Sequence, residues 1–357
     1  MSPRRKMDCG DMSFVYPQLC AGFRPIPKGL CFPDQTLASA LVLGLTSPQE
    51  AGAVACQLGD IFAGVNNGQV QHYNAAGTLL ETLNTTTGGF TTDMAFDGSG
   101  NLYVTAFSAN KLVKFDNAGG LVNANFITGL STPESVVFDQ SGNVYVGNVG
   151  GTGIRAYNSA GAFQHTVTGG RVDWFDLSAD QSKFIYTTEG SRIQTVSNGN
   201  PGVAGPDFAS GLSPGEAYAL RYLADGGVLL ADGDEVKRFN SAGTLIQTYD
   251  VAGEDTWFSL NLNPDGTSFW SGNFGSGKAY EFDLTGGAPT QTLNTGVGGN
   301  NLFGLVIYGE VTQGGPPPSV PEAGQTWLSC SLVAWAWSAL AGSSELQCVK
   351  REHENVI

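Results

Sequence analysis

Charged residues are scarce, at 14% of 357, and basic ones scarcer still: seventeen Lys and Arg against thirty-two Asp and Glu leave a formal charge of -15. The basic residues are scattered or terminal, so the chain lacks the basic face that nucleic acid requires, and nucleic acid is excluded as a partner. Histidine is almost absent. His72 and His165 fall on expected outer strands and His353 in the tail, so no pair is placed for general base work or zinc binding. The six cysteines, Cys9, Cys20, Cys31, Cys56, Cys330 and Cys348, lie at or outside the edges of the repetitive region and form no CxxC pair. The fold therefore needs no disulfide framework. The helical 3.6-residue pattern of helix-pair repeats is missing as well.

Glycine is abundant. Fifty glycines, many of them in Asn-Gly, Asp-Gly and Ala-Gly pairs, suit many short strands joined by tight turns. One short strand recurs six times: DIFAG from Asp60, LYVTA from Leu102, VYVGN from Val144, FIYTT from Phe184, VLLAD from Val228 and SFWSG from Ser268. Successive starts lie 42, 42, 40, 44 and 40 residues apart, a period that fits four short strands per propeller blade. A second strand follows in five repeats and ends in an aromatic residue and Asn or Asp, as in QVQHYN and KLVKFD; Gly-containing turns such as NAAG then lead to a third strand. The fourth repeat is irregular, because SNGNPGVAGPDF from Ser197 replaces the usual turn and strand.

An inner strand precedes each recurrent strand except the first: DMAFD, SVVFD, WFDLS, YALRYL and FSLNLN. The missing copy stands at the far end, as LFGLVIYGE over 302-310. The expected fold is thus all-β: a six-bladed β-propeller over 56-311 with four strands per blade, its ring closed when 302-310 pairs with the first blade. Closure removes a free strand edge.

The phrasing of these units, as in STPESVVFDQSGNVYVGN from Ser131 and TTDMAFDGSGNLYVTAFSANKLVKFD from Thr91, resembles NHL-repeat propellers and their gluconolactonase-like and streptogramin-lyase relatives, over roughly 59 to 310. The resemblance implies the fold; such propellers host enzymes, adhesins and scaffolds alike. In the gluconolactonase-like enzymes a divalent cation is held in the channel by Glu, Asn and Asp. Here Glu134 stands where a Pro-Asn-Gly motif supplies their Asn.

Residues 1-55 form a leader. Its apolar stretch 36-45 has the length of a signal-peptide core, with small residues at 51-55 suited to cleavage, behind an unusually long prefix; a disordered N-terminal extension is the alternative. Residues 312-325 read as a Pro/Gly linker, and 326-357 as a tail with an apolar run from Trp327 and the basic pair Lys350-Arg351. That order resembles the PEP-CTERM type of sorting tail, with Val320-Pro321-Glu322 at the motif position and Ala323 where proline is usual. The resemblance implies export and membrane contact through the tail, against a frayed or amphipathic C-terminus; the run is short for a bilayer span. The expected location is secreted or bound to a bacterial cell envelope.

Ligands of propellers collect at the channel mouth, where loops enter the inner strands. The residues there are Asp93, Glu134, Asp173, Glu216 and Asp255, with Asn301 in the sixth position. An oxygen-rich ring of this kind would suit Ca²⁺, with Glu134, Asp173 and Asp255 as the metal ligands. Trp174, Tyr218, Trp257, Phe258 and Phe303 lie near the same strand starts, where they could stack on a ligand or pack between blades. GNFGSGKA from Gly272 lacks the final Ser or Thr of a phosphate loop and no helix follows it; GLSPG from Gly211 places Pro214 where an oxyanion hole needs an N-H. Three functions stay open, the first two being a non-enzymatic monomeric module binding a protein, glycan or small molecule on one face, and a Ca-dependent lactonase or esterase. A spacer role in a surface layer is the third.

Overall fold

The computed structural model describes residues 54-213 and 215-316. Residues 1-53 of the leader, with its candidate signal sequence, residues 317-325 of the linker and the apolar tail lie outside the described residues.

Six antiparallel four-stranded sheets account for the strands in the described residues. The inner strands are Thr91–Phe96, Pro133–Phe138, Phe175–Leu177, Ala217–Tyr222, Trp257–Leu262 and Leu302–Ile307. The last of these belongs to the first blade. It pairs with Ile61–Val65, Ile61 opposite Ile307 and Gly64 opposite Gly304, so the ring closes as the repeat count requires. The fourth blade carries the irregularity: its third strand is Arg192–Ser197, without the aromatic-Asn ending, and its outer strand Ala209–Ser210 is two residues long.

The repeated motifs are turn chemistry. At the end of Gln69–Tyr73, Asn74 Oδ1 accepts from the N-H groups of Ala76 (3.1 Å) and Thr78 (2.9 Å), and Gly77 takes φ 78°. A side-chain acceptor stands in for backbone, and the positive φ requires glycine.

Apolar packing runs between blades. Six buried clusters occupy the six blade interfaces, as expected when both faces of each small sheet are covered by neighbours. Side chains of the inner strands also bolt each blade to the next: Asp93 Oδ2 accepts from Val136 N-H (2.9 Å), Ser135 Oγ donates to Asp173 O (2.6 Å) and Asp176 Oδ2 accepts from Tyr222 N-H (2.7 Å).

The inner strands all run from an upper face to a lower one: five lead by a hairpin into the neighbouring, outward-lying strand, and Leu302–Ile307 pairs antiparallel with Ile61–Val65 in the same sense. The described chain enters and leaves at the lower face: Gly59 N-H donates to Tyr308 O (2.9 Å) where the two ends meet.

Candidate binding site at the upper channel mouth

Five of the six inner strands begin with a register shift against the second strand: at Leu302–Gly304, Thr91–Met94, Pro133–Ser135, Ala217–Leu220 and Trp257–Ser259. Each shift is a β-bulge, which turns a side chain out of the regular alternation. At or beside the extra residue stand Phe303, Thr92, Glu134, Tyr218 and Phe258. Asp173 holds the equivalent place in the fourth blade, its N-H donating to Thr187 O (3.1 Å). One residue per blade thus forms a ring at a single level. Its halves differ in chemistry: Tyr218, Phe258 and Phe303 come from the fifth, sixth and first blades, and Thr92, Glu134 and Asp173 from the second, third and fourth.

The aromatic half continues into neighbouring loops. Tyr218 and Phe258 lie 4.9 Å apart between ring centroids, Phe258 and Phe274 5.8 Å, Phe274 and Phe303 5.4 Å, and Phe303 stacks on Phe90 at 4.4 Å. Phe90 is 40% exposed, and Tyr218, Phe258 and Phe274 are half-buried. Below them lies Trp174. It belongs to the fourth blade yet meets Phe258 of the sixth edge-on at 6.0 Å, so the indole reaches past Ala219 of the fifth and floors the mouth.

The polar half is an acid cluster around one guanidinium. Arg171 Nε donates to both oxygens of Asp173 (2.8 and 2.9 Å), and its Nη2 pairs with Glu189. The Glu134 carboxyl lies next to that of Asp173. Burial, then the negative charges of Asp173 and Glu189, push Glu134 well above the usual carboxylate range; burial also raises Asp173 against the pull of Arg171. Two adjacent carboxyls that cannot both ionise easily hold a proton between them.

The structure brings Glu134 and Asp173 together and disperses the other expected ligands. Asp93 is not at the mouth. It is fully buried in the seam between blades, where Val136 takes one oxygen and Arg221 Nη2 lies 3.6 Å from the other. Glu216 lies against Gly233, Asp255 is exposed, and Asn301 Nδ2 is spent on Val297 O and Gly299 O (3.0 Å each). Among the described residues no group of three or more His, Cys, Asp or Glu is placed to hold a metal ion. With a guanidinium already on both oxygens of Asp173 and Asp255 elsewhere, these donors do not fit a Ca²⁺ site. Of the expected aromatic contacts, Tyr218 and Phe303 are on the ring, whereas Trp257 and Trp174 are fully buried; Trp257 packs on Tyr280 and Phe282 inside the blades.

A second charged cluster, unforeseen in the sequence, fills the lower channel. Arg221 is 2% exposed; its Nε donates to Asn261 Oδ1 (2.9 Å) and Glu310 Oε1 (3.0 Å), and Asp93 and Asp176 flank it. Burial raises Asp93 to about 6 and Glu310 to about 7, with Arg221 opposing in both cases. A small cavity of about 40 Å³ remains here, lined by Phe96, Val137, Asp176, Arg221 and Glu310, with Thr312, Gly315 and Pro316 along its rim. A lone Arg inside the apolar run YALRYL was the available signal, since a buried cation demands anionic partners.

No protein-family model and no curated protein sequence matches the chain. Solved structures do. A chain of a nidogen/laminin complex superimposes with TM-score 0.55 at 13% identity, covering 70% of this chain and 97% of that one. A gluconolactonase, XC5397 of Xanthomonas campestris, gives TM-score 0.51 at 13% identity, covering 62% and 85%. The protein is a six-bladed β-propeller, and at such identity its likeness to these two is one of fold alone.

Proposed function

We propose that this protein is a ligand-binding propeller whose upper mouth receives a partner molecule, and that it is exported and held at the cell envelope by segments leaving the lower face. The observation carrying the binding reading is the divided ring: six aligned residues, three aromatic and three polar, with Tyr218 and Phe258 half-buried beside exposed Phe90 and the indole of Trp174 buried against Phe258. Partly exposed aromatics gathered at a channel mouth are costly to solvate and supply contact area at small entropic loss, which is the composition of binding sites. Display is supported by the apolar stretch 36-45 and by the position of both described chain ends on the face opposite the mouth. A tether on one side leaves the other side free.

The lactonase reading, carried by the likeness to a gluconolactonase, requires a channel cation that the donors in place do not fit. Binding is tested by titrating peptide and oligosaccharide probes onto the protein and its Phe258→Ala variant. Saturable binding lost in the variant is expected; probes that bind both equally would overturn the site. Export is tested by fractionating a producing strain and sequencing the mature N-terminus. Recovery in the cytoplasm with Met1 or Ser2 intact would refute it.

A further inference from the structure

Resting on that reading of the mouth, we infer that its ligand is a peptide segment presenting a Lys or Arg side chain. Three independent features converge on this chemistry. The first is charge. Glu134, Asp173 and Glu189 face one another at the mouth with Arg171 as the cation paired to them, so the cluster carries an excess of acid in a chain of formal charge -15. An approaching cation is steered there, and an approaching anion is repelled.

The second is the arc of rings. Tyr218 joins the two halves: it contacts Phe258, and the carboxylates of Glu189, Glu216 and Glu134 all act on its phenol. A cation that reaches the acids from the centre of the mouth therefore passes over π faces, which attract ammonium and guanidinium groups and also cover the methylene stem behind them. A ligand with a charged tip and an apolar stem matches both halves at once.

The third feature is an unmet donor. Trp174 Nε1-H is buried and has no hydrogen-bond partner among the described residues, although the indole is 0% exposed and touches Phe258. Buried N-H groups without acceptors are rare and costly. A bare ammonium offers no acceptor to this donor. A peptide does, because each residue carries a carbonyl beside its side chain, which reaches the buried indole when the Phe258 ring packed on it gives way.

The test uses the full chain and four capped tetrapeptides identical except for one residue: Lys, Arg, the uncharged isostere norleucine, or Glu. Calorimetric titration should give the Lys and Arg peptides at least about tenfold tighter binding than norleucine, equivalent to about 1.4 kcal/mol, with Glu weakest. The preference should shrink at high salt. Trp174→Phe keeps an aromatic side chain and deletes the donor; with a cooperative thermal transition showing that the variant is folded, it should weaken every peptide by up to about tenfold, the range of one hydrogen bond. Glu189→Gln should lower the Lys-over-norleucine ratio and leave norleucine affinity in place. Affinity for Lys should rise with pH, because proton and ammonium compete for Glu134 and Asp173, which face Glu189 and Arg171. Equal binding of Lys and norleucine overturns the inference. So does binding of oligosaccharides alone; if those are lost in Phe258→Ala, the mouth survives as a site and only the ligand class falls. Binding of any probe that is indifferent to Phe258→Ala refutes both readings.

Discussion

Glu310→Gln should flatten the pH dependence of this protein's stability. The Glu310 side chain is 7% exposed beside Arg221 and its carboxyl is raised from 4.5 to about 7; Asp93, on the same guanidinium, goes from 3.8 to about 6. Both folded-state values lie above the unfolded ones, so the native state binds these protons more tightly. Their stabilising contribution is complete below about pH 4 and is lost as pH rises through 6 to 7. Each shift corresponds to about 3 kcal/mol. The two share one partner, so the combined loss between pH 4.5 and 8 falls short of their sum. Urea unfolding should give a midpoint that declines across this interval. Gln at 310 retains an oxygen for Arg221 Nε and for the Leu262 N-H while carrying no titrating proton. The variant should therefore lose roughly half of the decline, and the acidic pair Glu134 and Asp173, raised in the same direction, should account for part of what remains. A midpoint that rises from pH 5 to 8, or a slope unchanged in Glu310→Gln, would refute the assignment of the channel acids.

Other consequences concern the ring itself and its mouth. A Cβ on Gly304 would sit 1.4 Å from Thr92 O, a backbone atom of the next blade; Gly304→Ala should destabilise by about 3 kcal/mol or more, read as a lowered Tm. Ending the chain at Asn301 removes buried Leu302, Leu305, Val306 and Ile307 together, and circular dichroism should show loss of cooperative unfolding. Millimolar calcium, and chelator in turn, should leave Tm unchanged, because Arg171 already neutralises Asp173; a calcium-dependent rise of several degrees would restore the cation site.

Much of the fold is written in local chemistry. Asn74 with Gly77, and the aromatic residue before Asn74, specify one hairpin without help from distant residues, so the repeats and the displaced strand 302-307 are readable from the chain alone. The fourth blade resists because Arg192–Ser197 has Ser197, not an aromatic residue, before Asn198. The mouth was half legible. Glu134 and Asp173 stand at strand starts, and their position follows from the count. Arg171, Glu189, Phe90 and Phe274 come from loops, whose meeting is decided by the ring's closure and not by spacing. Asp93 misleads for a specific reason: the bulge beside it sends Thr92 to the mouth and turns Asp93 into the seam, a one-residue difference that periodicity cannot register.

Ring closure by Leu302–Ile307 also sets a schedule. The strand it must join, Ile61–Val65, leaves the ribosome about 240 residues earlier, and at roughly 5 to 20 residues per second the wait is on the order of 12 to 50 s. For that interval the first blade has three strands and offers IFAGV as an unpaired edge, the kind of template on which chains aggregate. The native ring is therefore a product of the completed chain. Whatever cellular factor meets the nascent protein meets an open arc, and a chain still unclosed is also one that can be threaded through a translocon.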